Sequence, residues 1–203
     1  MVAPHRFLAL GATAIALIGC SNARTPQIIT EPNTTVVERE PLASISGPVR
    51  RGPLAANAVV RRTVDGDTLD VVLLRNDGTP SASTERVRLI GIDTPETKRP
   101  DTPIECFGKK ASAAAAALLP NTTPVRLERD VEERDRYGRL LAYVFRASDG
   151  LFVNHELVRT GFAASYPYPP NVTYADVFRE AANAARAASV GLWGTCGDPH
   201  VPA

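Results

Sequence analysis

Three short segments of this chain gather acids and arginines beside turn-forming residues. They are Asp65-Gly66-Asp67-Thr68, the stretch Arg88-Leu89-Ile90-Gly91-Ile92-Asp93-Thr94-Pro95-Glu96, and Asp135-Arg136-Tyr137-Gly138-Arg139. A hard divalent cation such as Ca²⁺ takes several oxygen ligands, which carboxylates and a backbone carbonyl supply. Asp67, Asp93 and the Thr94 carbonyl are the candidate metal ligands. Carboxylates crowded without a cation raise one another's pKa, a penalty that a bound cation removes. Two arginines, Arg88 and Arg139, can clamp phosphoryl oxygens with bidentate hydrogen bonds and stabilise charge developing on phosphorus. The remaining carboxylate, Glu96, can orient or deprotonate a water. The chemistry that suits this set is attack of water on a phosphate ester.

Such chemistry needs a scaffold that brings distant segments together. Val59–Val64 and Thr68–Leu74 are β-branched, apolar runs flanking Asp65-Gly66-Asp67, a tight-turn signal. Arg86–Ile92 alternates as a half-buried strand does. Arg88 and Asp93 lie an odd number of residues apart, so an unbroken strand would face them oppositely. A bulge near Gly91 would reunite them. Asn76–Thr84 reads as a polar loop, and Lys109–Leu119 as an alanine-rich helix stopped by Pro120. Pro124–Arg129 and Leu140–Arg146 read as strands, Phe152–Thr160 and Tyr174–Val190 as helices ending before Gly161 and Gly191. This order predicts an α+β fold: a five-stranded OB-fold-type β-barrel with about three α-helices.

The three segments together closely resemble the staphylococcal nuclease (thermonuclease) family. Asn154, Leu157-Val158-Arg159, Gly161 and Gly191-Leu192-Trp193 extend the likeness over about Val59 to Trp193. The resemblance implies Ca²⁺ bound by Asp67, Asp93 and the Thr94 carbonyl, with Arg88, Glu96 and Arg139 as catalytic residues. It also implies a nucleotide pocket lined by Tyr137, Tyr166 and Tyr168, with Arg136 near a terminal phosphate. The implied activity is Ca²⁺-dependent hydrolysis of DNA and RNA that breaks the bond to the 5′ oxygen and leaves 3′-phosphates. The loop Asn76–Thr84 reads as longer than in compact members of the family. Arg99–Ile104 carries extra Pro and Asp where the family often has lysines, which predicts weaker substrate affinity. No implied ligand or catalytic residue is replaced.

Each segment also has a plainer reading. Asp65-Gly66-Asp67 alone is a hairpin turn, Arg139 can pair with Asp135 or Glu133, and Tyr166-Pro167-Tyr168-Pro169-Pro170 can be a stiff surface loop. His155-Glu156 lacks the second histidine of a zinc helix. The alternative function is a non-catalytic nucleic-acid-binding surface lipoprotein of OB type. A purely structural lipoprotein would be expected to show broken motifs.

Composition is that of a globular protein, with 44% hydrophobic and 22% charged residues and a net charge of +1. Acids and bases balance between Val59 and Gly197, so a domain-wide basic footprint for polyanions is missing. A local cationic site remains compatible with that balance. At the N-terminus Phe7–Ile18 is uncharged and apolar, too short to span a bilayer of roughly 30 Å but suited to a signal-peptide core. It ends in Leu17-Ile18-Gly19-Cys20, which resembles a bacterial lipobox. The expected organisation is a lipoprotein signal peptide (1–19), a lipidated Cys20 with a disordered tether (20–56), the domain (57–197) and a short tail (198–203). The chain is then exported, anchored to a cell-envelope membrane through Cys20, and monomeric. Cys106 and Cys196 remain as an even pair in an oxidising compartment and are expected to form a disulfide.

Overall fold

The structure, a computed structural model, describes residues 48–97 and 103–200. The expected signal peptide, Cys20, most of the expected tether and most of the Arg99–Ile104 segment lie outside the described residues. Among the described residues no helix is long and apolar enough to cross a membrane.

The elements run β1 (Ala58–Asp65), β2 (Thr68–Leu74), β3 (Pro80–Leu89), β4 (Gly91–Asp93), α1 (Gly108–Leu118), β5 (Pro124–Glu128), β6 (Leu140–Arg146), α2 (Val153–Arg159), β7 (Ala164–Tyr166), α3 (Ala175–Ala187) and α4 (Leu192–Thr195). Five strands close into a barrel in the order β1-β2-β3-β6-β5, with β4 and β7 as a separate ribbon. This is the α+β, OB-type barrel expected from the order of strand and helix signals. β1, β2 and β3 form an antiparallel meander, while β3 and β6 pair in parallel. The pairs Ala58↔Val125 and Val59↔Pro124 between β1 and β5 close the cylinder.

Alternation decides which side chains fill it. Val60, Leu69, Val71, Val87, Leu89 and Val125 point inward and are at most 1% exposed. β6 is apolar on both faces (Leu-Leu-Ala-Tyr-Val-Phe-Arg) and buried up to Arg146, because α2 and α3 cover its outer face. Phe145 stacks on Phe152 at 4.4 Å, and Tyr143 meets Tyr174 edge-on at 4.6 Å. On α3 only Phe178, Ala181 and Ala185 are buried, a stripe one helix face wide.

The structure departs from the sequence expectation in several places. β3 begins at Pro80, so the polar stretch expected as a loop from Asn76 to Thr84 is half strand. Val72↔Thr84 and Leu74↔Pro80 continue the ladder with β2, with solvent on the side chains of both β3 positions. The described residues 48–56, assigned by composition to the tether, lie on the domain. Val49 and Leu54 pack on the core, the Phe152 amide donates to the Val49 carbonyl at 2.9 Å, and the Leu54 amide to Ala147 at 2.8 Å. The disulfide, by contrast, is the one expected: Cys106 and Cys196 are bonded to each other, with Cα atoms 6.0 Å apart and a sequence separation of 90.

One buried histidine is expected to make the stability of the fold depend on pH. His155 on α2 is 0% exposed, and neither ring nitrogen has a hydrogen-bond partner. Burial pulls its pKa below the usual histidine value, against the Glu156 charge and with that of Arg159. The unfolded chain therefore binds a proton near its ordinary pKa of about 6.5 that the folded chain refuses. Its stability contribution is complete above that pH and is lost as pH falls toward the lowered folded pKa, by up to about 1.4 kcal/mol per pH unit. Urea unfolding of the wild type between pH 7.5 and 5 is expected to show this slope, and His155→Leu to flatten it. Parallel slopes in the two proteins would remove His155 as the cause.

Candidate active site

Two clefts meet at a pair of arginines. The first has Asp65, Asp67, Arg88, Asp93, Glu96 and Arg139 among its lining residues and a volume of about 370 Å³. The second, about 420 Å³, is bordered by Arg136, Tyr137, Tyr166 and Tyr168, and shares Arg88 and Arg139 with the first.

The β1–β2 hairpin builds the acidic wall. Asp65 pairs with Thr68 across a turn made by Gly66 and Asp67, and the Asp65 carboxylate accepts the Gly66 amide at 2.8 Å. The Asp67 carbonyl accepts the Leu89 amide at 2.9 Å, which fixes the turn to β3. Glycine is required at position 66, because a Cβ there would come within 2.7–2.9 Å of the Thr94 side chain. That close approach lets Asp67 Oδ2 accept both the Thr94 amide and the Thr94 hydroxyl, each at 3.1 Å.

The strand break that reunites Arg88 and Asp93 occurs at Gly91. Its φ is +80°, a conformation that glycine adopts readily, and a Cβ there would meet Phe178 at 2.3 Å. β3 stops at Leu89, and β4 turns away to pair with β7. The Arg88 guanidinium, 15% exposed, consequently reaches Asp67 Oδ2 through Nη1 at 2.5 Å and Asp93 Oδ1 through Nη2 at 2.7 Å. Two carboxylates, one from the β1–β2 turn and one from β4, thus converge on one guanidinium.

Arg139 arrives from the other side. The segment Asp135–Arg139 is a tight hairpin in which Gly138 has φ +80° and the Asp135 carboxylate accepts the amides of Tyr137 and Arg139 at 2.9 and 3.0 Å. Asp135 also takes Nε of Arg139 at 2.6 Å, the pairing that the plainer sequence reading foresaw. Parallel pairing of β6 with β3 (Val87↔Leu140, Arg88↔Leu141) sets Arg139, at the entry of β6, level with Arg86, on the cleft that Arg88 also lines.

Crowding shows in the electrostatics. Burial raises the Asp93 pKa, partly offset by Arg88 and His200 and reinforced by the Asp67 charge. Asp65 is raised too, first by burial and further by a side-chain hydrogen bond with Glu96, against the hydrogen bonds from Gly66 and Thr97. Glu96 Oε1 accepts the Thr97 amide at 2.9 Å, and its own amide donates to Glu105 Oε2 at 2.8 Å. Among the described residues no three of His, Cys, Asp and Glu are gathered so as to hold a metal by themselves. A cation here would draw on two carboxylates, a main-chain carbonyl and water.

The second cleft carries the aromatic residues. Tyr137, Tyr166 and Tyr168 are 68%, 51% and 65% exposed, so the cleft presents three rings to solvent. Arg136 lies 4.8 Å from the Tyr137 ring centre and donates to its hydroxyl at 2.6 Å. β4–β7 pairing places Tyr166 opposite Gly91.

Sequence reasoning assigned no role to Asp65, Glu105 or His200. Asp65 was visible in the Asp-Gly-Asp repeat. His200 belongs to the stretch read as a plain tail, yet Nε2 lies 3.2 Å from Asp93 Oδ2 and Nδ1 2.9 Å from Glu105 Oε2. The one signal for it was the disulfide, which returns residues after Cys196 to the Cys106 neighbourhood.

Fold and site together define a class: a closed five-stranded barrel with a carboxylate–arginine cleft beside an aromatic one. The family description "Staphylococcal nuclease homologue" matches residues 86–195, from β3 to α4, which includes Arg88, Asp93, Glu96 and Arg139. A thermonuclease of Staphylococcus intermedius is 42% identical over 135 residues, 66% of this chain and 74% of that protein. A thermonuclease of Staphylococcus hyicus is 38% identical over 134 residues, covering 66% and 73% respectively. Endonuclease YncB of Bacillus subtilis is 36% identical over 143 residues, 70% of this chain and 63% of its own length. The chain belongs to the staphylococcal nuclease family.

Proposed function

We propose that this chain is a Ca²⁺-dependent nuclease that hydrolyses DNA and RNA to 3′-phosphate products. Its nuclease character is supported by the relatives named thermonuclease and endonuclease. The observation that carries the finer reading is convergence of Asp67 and Asp93 on the single guanidinium of Arg88. Carboxylates that share one guanidinium can share one small cation, and the raised Asp65 and Asp93 carboxyls are groups that a divalent charge would hold ionised. Asp67, Asp93 and the Thr94 carbonyl would hold the ion. When bound, Ca²⁺ would polarise a phosphoryl oxygen and neutralise charge on the phosphate.

The chain's own groups do the rest. Arg88, which spans Asp67 and Asp93, would offer its guanidinium to the phosphate where those aspartates hold a cation instead, with Arg139 on its other side. Glu96, on the same cleft, accepts a proton as water adds to phosphorus. The P–O5′ bond breaks and the leaving oxygen takes a proton from solvent as Glu96 returns its own, leaving a 3′-phosphate and a 5′-hydroxyl. Tyr137, Tyr166 and Tyr168 offer faces for the base and sugar, and Arg136 meets a terminal phosphate. Action as a monomer is part of the same proposal. The leader ending in Leu17-Ile18-Gly19-Cys20 supports export and anchoring to the cell envelope through an acylated Cys20.

Incubation with single-stranded DNA, plasmid and RNA, with Ca²⁺ and then with chelator, tests this reading. Cleavage with Ca²⁺, its loss with chelator, and ends that accept phosphate labelling at the 5′-hydroxyl are expected. Retained binding with no cutting in excess Ca²⁺ would replace the proposal with a non-catalytic binding module.

A further inference from the structure

β1 carries an irregularity whose effect is to bring two arginines to the surface. Val60 pairs with Val71 and Arg62 with Asp70, so Arg61 is an extra residue in the ladder. The bulge leaves Val60 in the core and exposes Arg61 and Arg62 in succession, where an unbroken strand would have turned one of them inward. Arg62 then joins a row across three strands, since Asp70 pairs with Arg86 on β3. Asp70, with a side chain only 9% exposed, binds Arg62 Nε at 2.8 Å and Arg86 Nε at 2.9 Å. One buried carboxylate thereby fixes two guanidiniums that remain 63% and 48% exposed.

The row has a direction. Arg86 and Arg88 share the outer face of β3, two residues or about 6.6 Å apart, comparable to one nucleotide step of an extended strand. Arg86 lines the acidic cleft, and beyond it Arg61, Arg62 and Asn121 line a further groove of about 520 Å³. The groove shares no lining residue with the aromatic cleft and adjoins the acidic one through the contact of Asp70 with Arg86. In a domain whose charges balance, three arginines against one aspartate make a local cationic strip.

We infer that Arg61, Arg62 and Arg86 form a phosphate-binding track that holds the polynucleotide strand beyond the bond being cut, outside the aromatic cleft. The inference rests on the nuclease reading and adds substrate length to it: long single strands bind through the track, and dinucleotides cannot reach it. Phosphates along a strand gain from cations already oriented by a buried carboxylate, because less side-chain freedom is lost on contact.

The test compares the full wild-type chain with the double variant Arg61→Gln, Arg62→Gln on a dinucleotide and on a single strand of about 12 nucleotides. The expected result is a fall in kcat/KM on the order of 10-fold for the long strand and none for the dinucleotide. The dependence of log kcat/KM on log salt should become shallower by about 1.4, at about 0.7 per lost phosphate contact. Arg61→Lys, Arg62→Lys should restore most of the long-strand rate, which separates charge from damage to the barrel. Equal losses on both substrates, or no loss on either, overturn the track. If the wild type cuts nothing, the nuclease reading fails by itself. The track is then judged by fluorescence anisotropy of the long strand with chelator present, where an unchanged Kd in the glutamine variant overturns it.

Discussion

Arg139→Ala is expected to lower kcat on single-stranded DNA by about 10²-fold or more, with a much smaller change in KM. The size follows from removing a preorganised donor from the place where charge develops on phosphorus. Arg139 is the cleaner of the two arginines to remove. Arg88 spans Asp67 and Asp93, so its loss also unbalances the carboxylates, and the effect would mix charge stabilisation with metal affinity. Arg139 is held by its Nε edge against Asp135, which leaves its Nη pair as the donors for phosphoryl oxygens. Arg139→Lys should recover little, because an ammonium cannot meet Asp135 and a phosphate with a planar fork. Glu96→Ala should produce a fall of similar order with Ca²⁺ binding preserved, whereas loss of Asp67 should act first on Ca²⁺ affinity. Rates within a few-fold of wild type for both Arg139→Ala and Glu96→Ala would leave the cleft without a catalytic role.

What could be read from the sequence and what could not divide along a physical line. Strands β1, β2, β5 and β6 announced themselves because barrel closure buries one face, or both, of a continuous apolar run. The acidic and cationic segments were legible because Gly66, Gly91 and Gly138 mark the turns that present them. The hidden parts depend on partners distant in the chain. β7 is three residues long, too short for any periodicity, and exists because Gly91–Asp93 offers it a backbone edge. The first half of β3 is polar and solvated, so only its ladder to β2 defines it. The bulge at Arg61 is a register shift between two strands, and a single strand's sequence carries no record of register. His200 meets Asp93 from a stretch just past Cys196, whose bond to Cys106 ties that stretch to the cleft.

That last dependence makes the disulfide the other large lever. Cross-linking across 90 residues removes loop entropy from the unfolded chain, and the chain-entropy account places the gain at up to about 4–5 kcal/mol. The paired substitution Cys106→Ser, Cys196→Ser is expected to lower Tm by on the order of 10 °C. Reductant should do the same to the wild type and nothing further to the variant. The bond also sits against the site, since Glu105, next to Cys106, binds the Glu96 amide and His200. Without the cross-link, residues beyond α4 lose their tie to α1, and the His200 contacts with Asp93 and Glu105 should loosen before the barrel melts. Hydrogen exchange below Tm should therefore quicken first at the Glu96 amide, while amides of β2 and β6, locked inside the barrel ladder, stay protected. A Tm unchanged after both thiols titrate as free would show that the barrel stands without the bond. The Glu96 amide exchanging no faster in that variant would remove the link from Cys106 to the cleft.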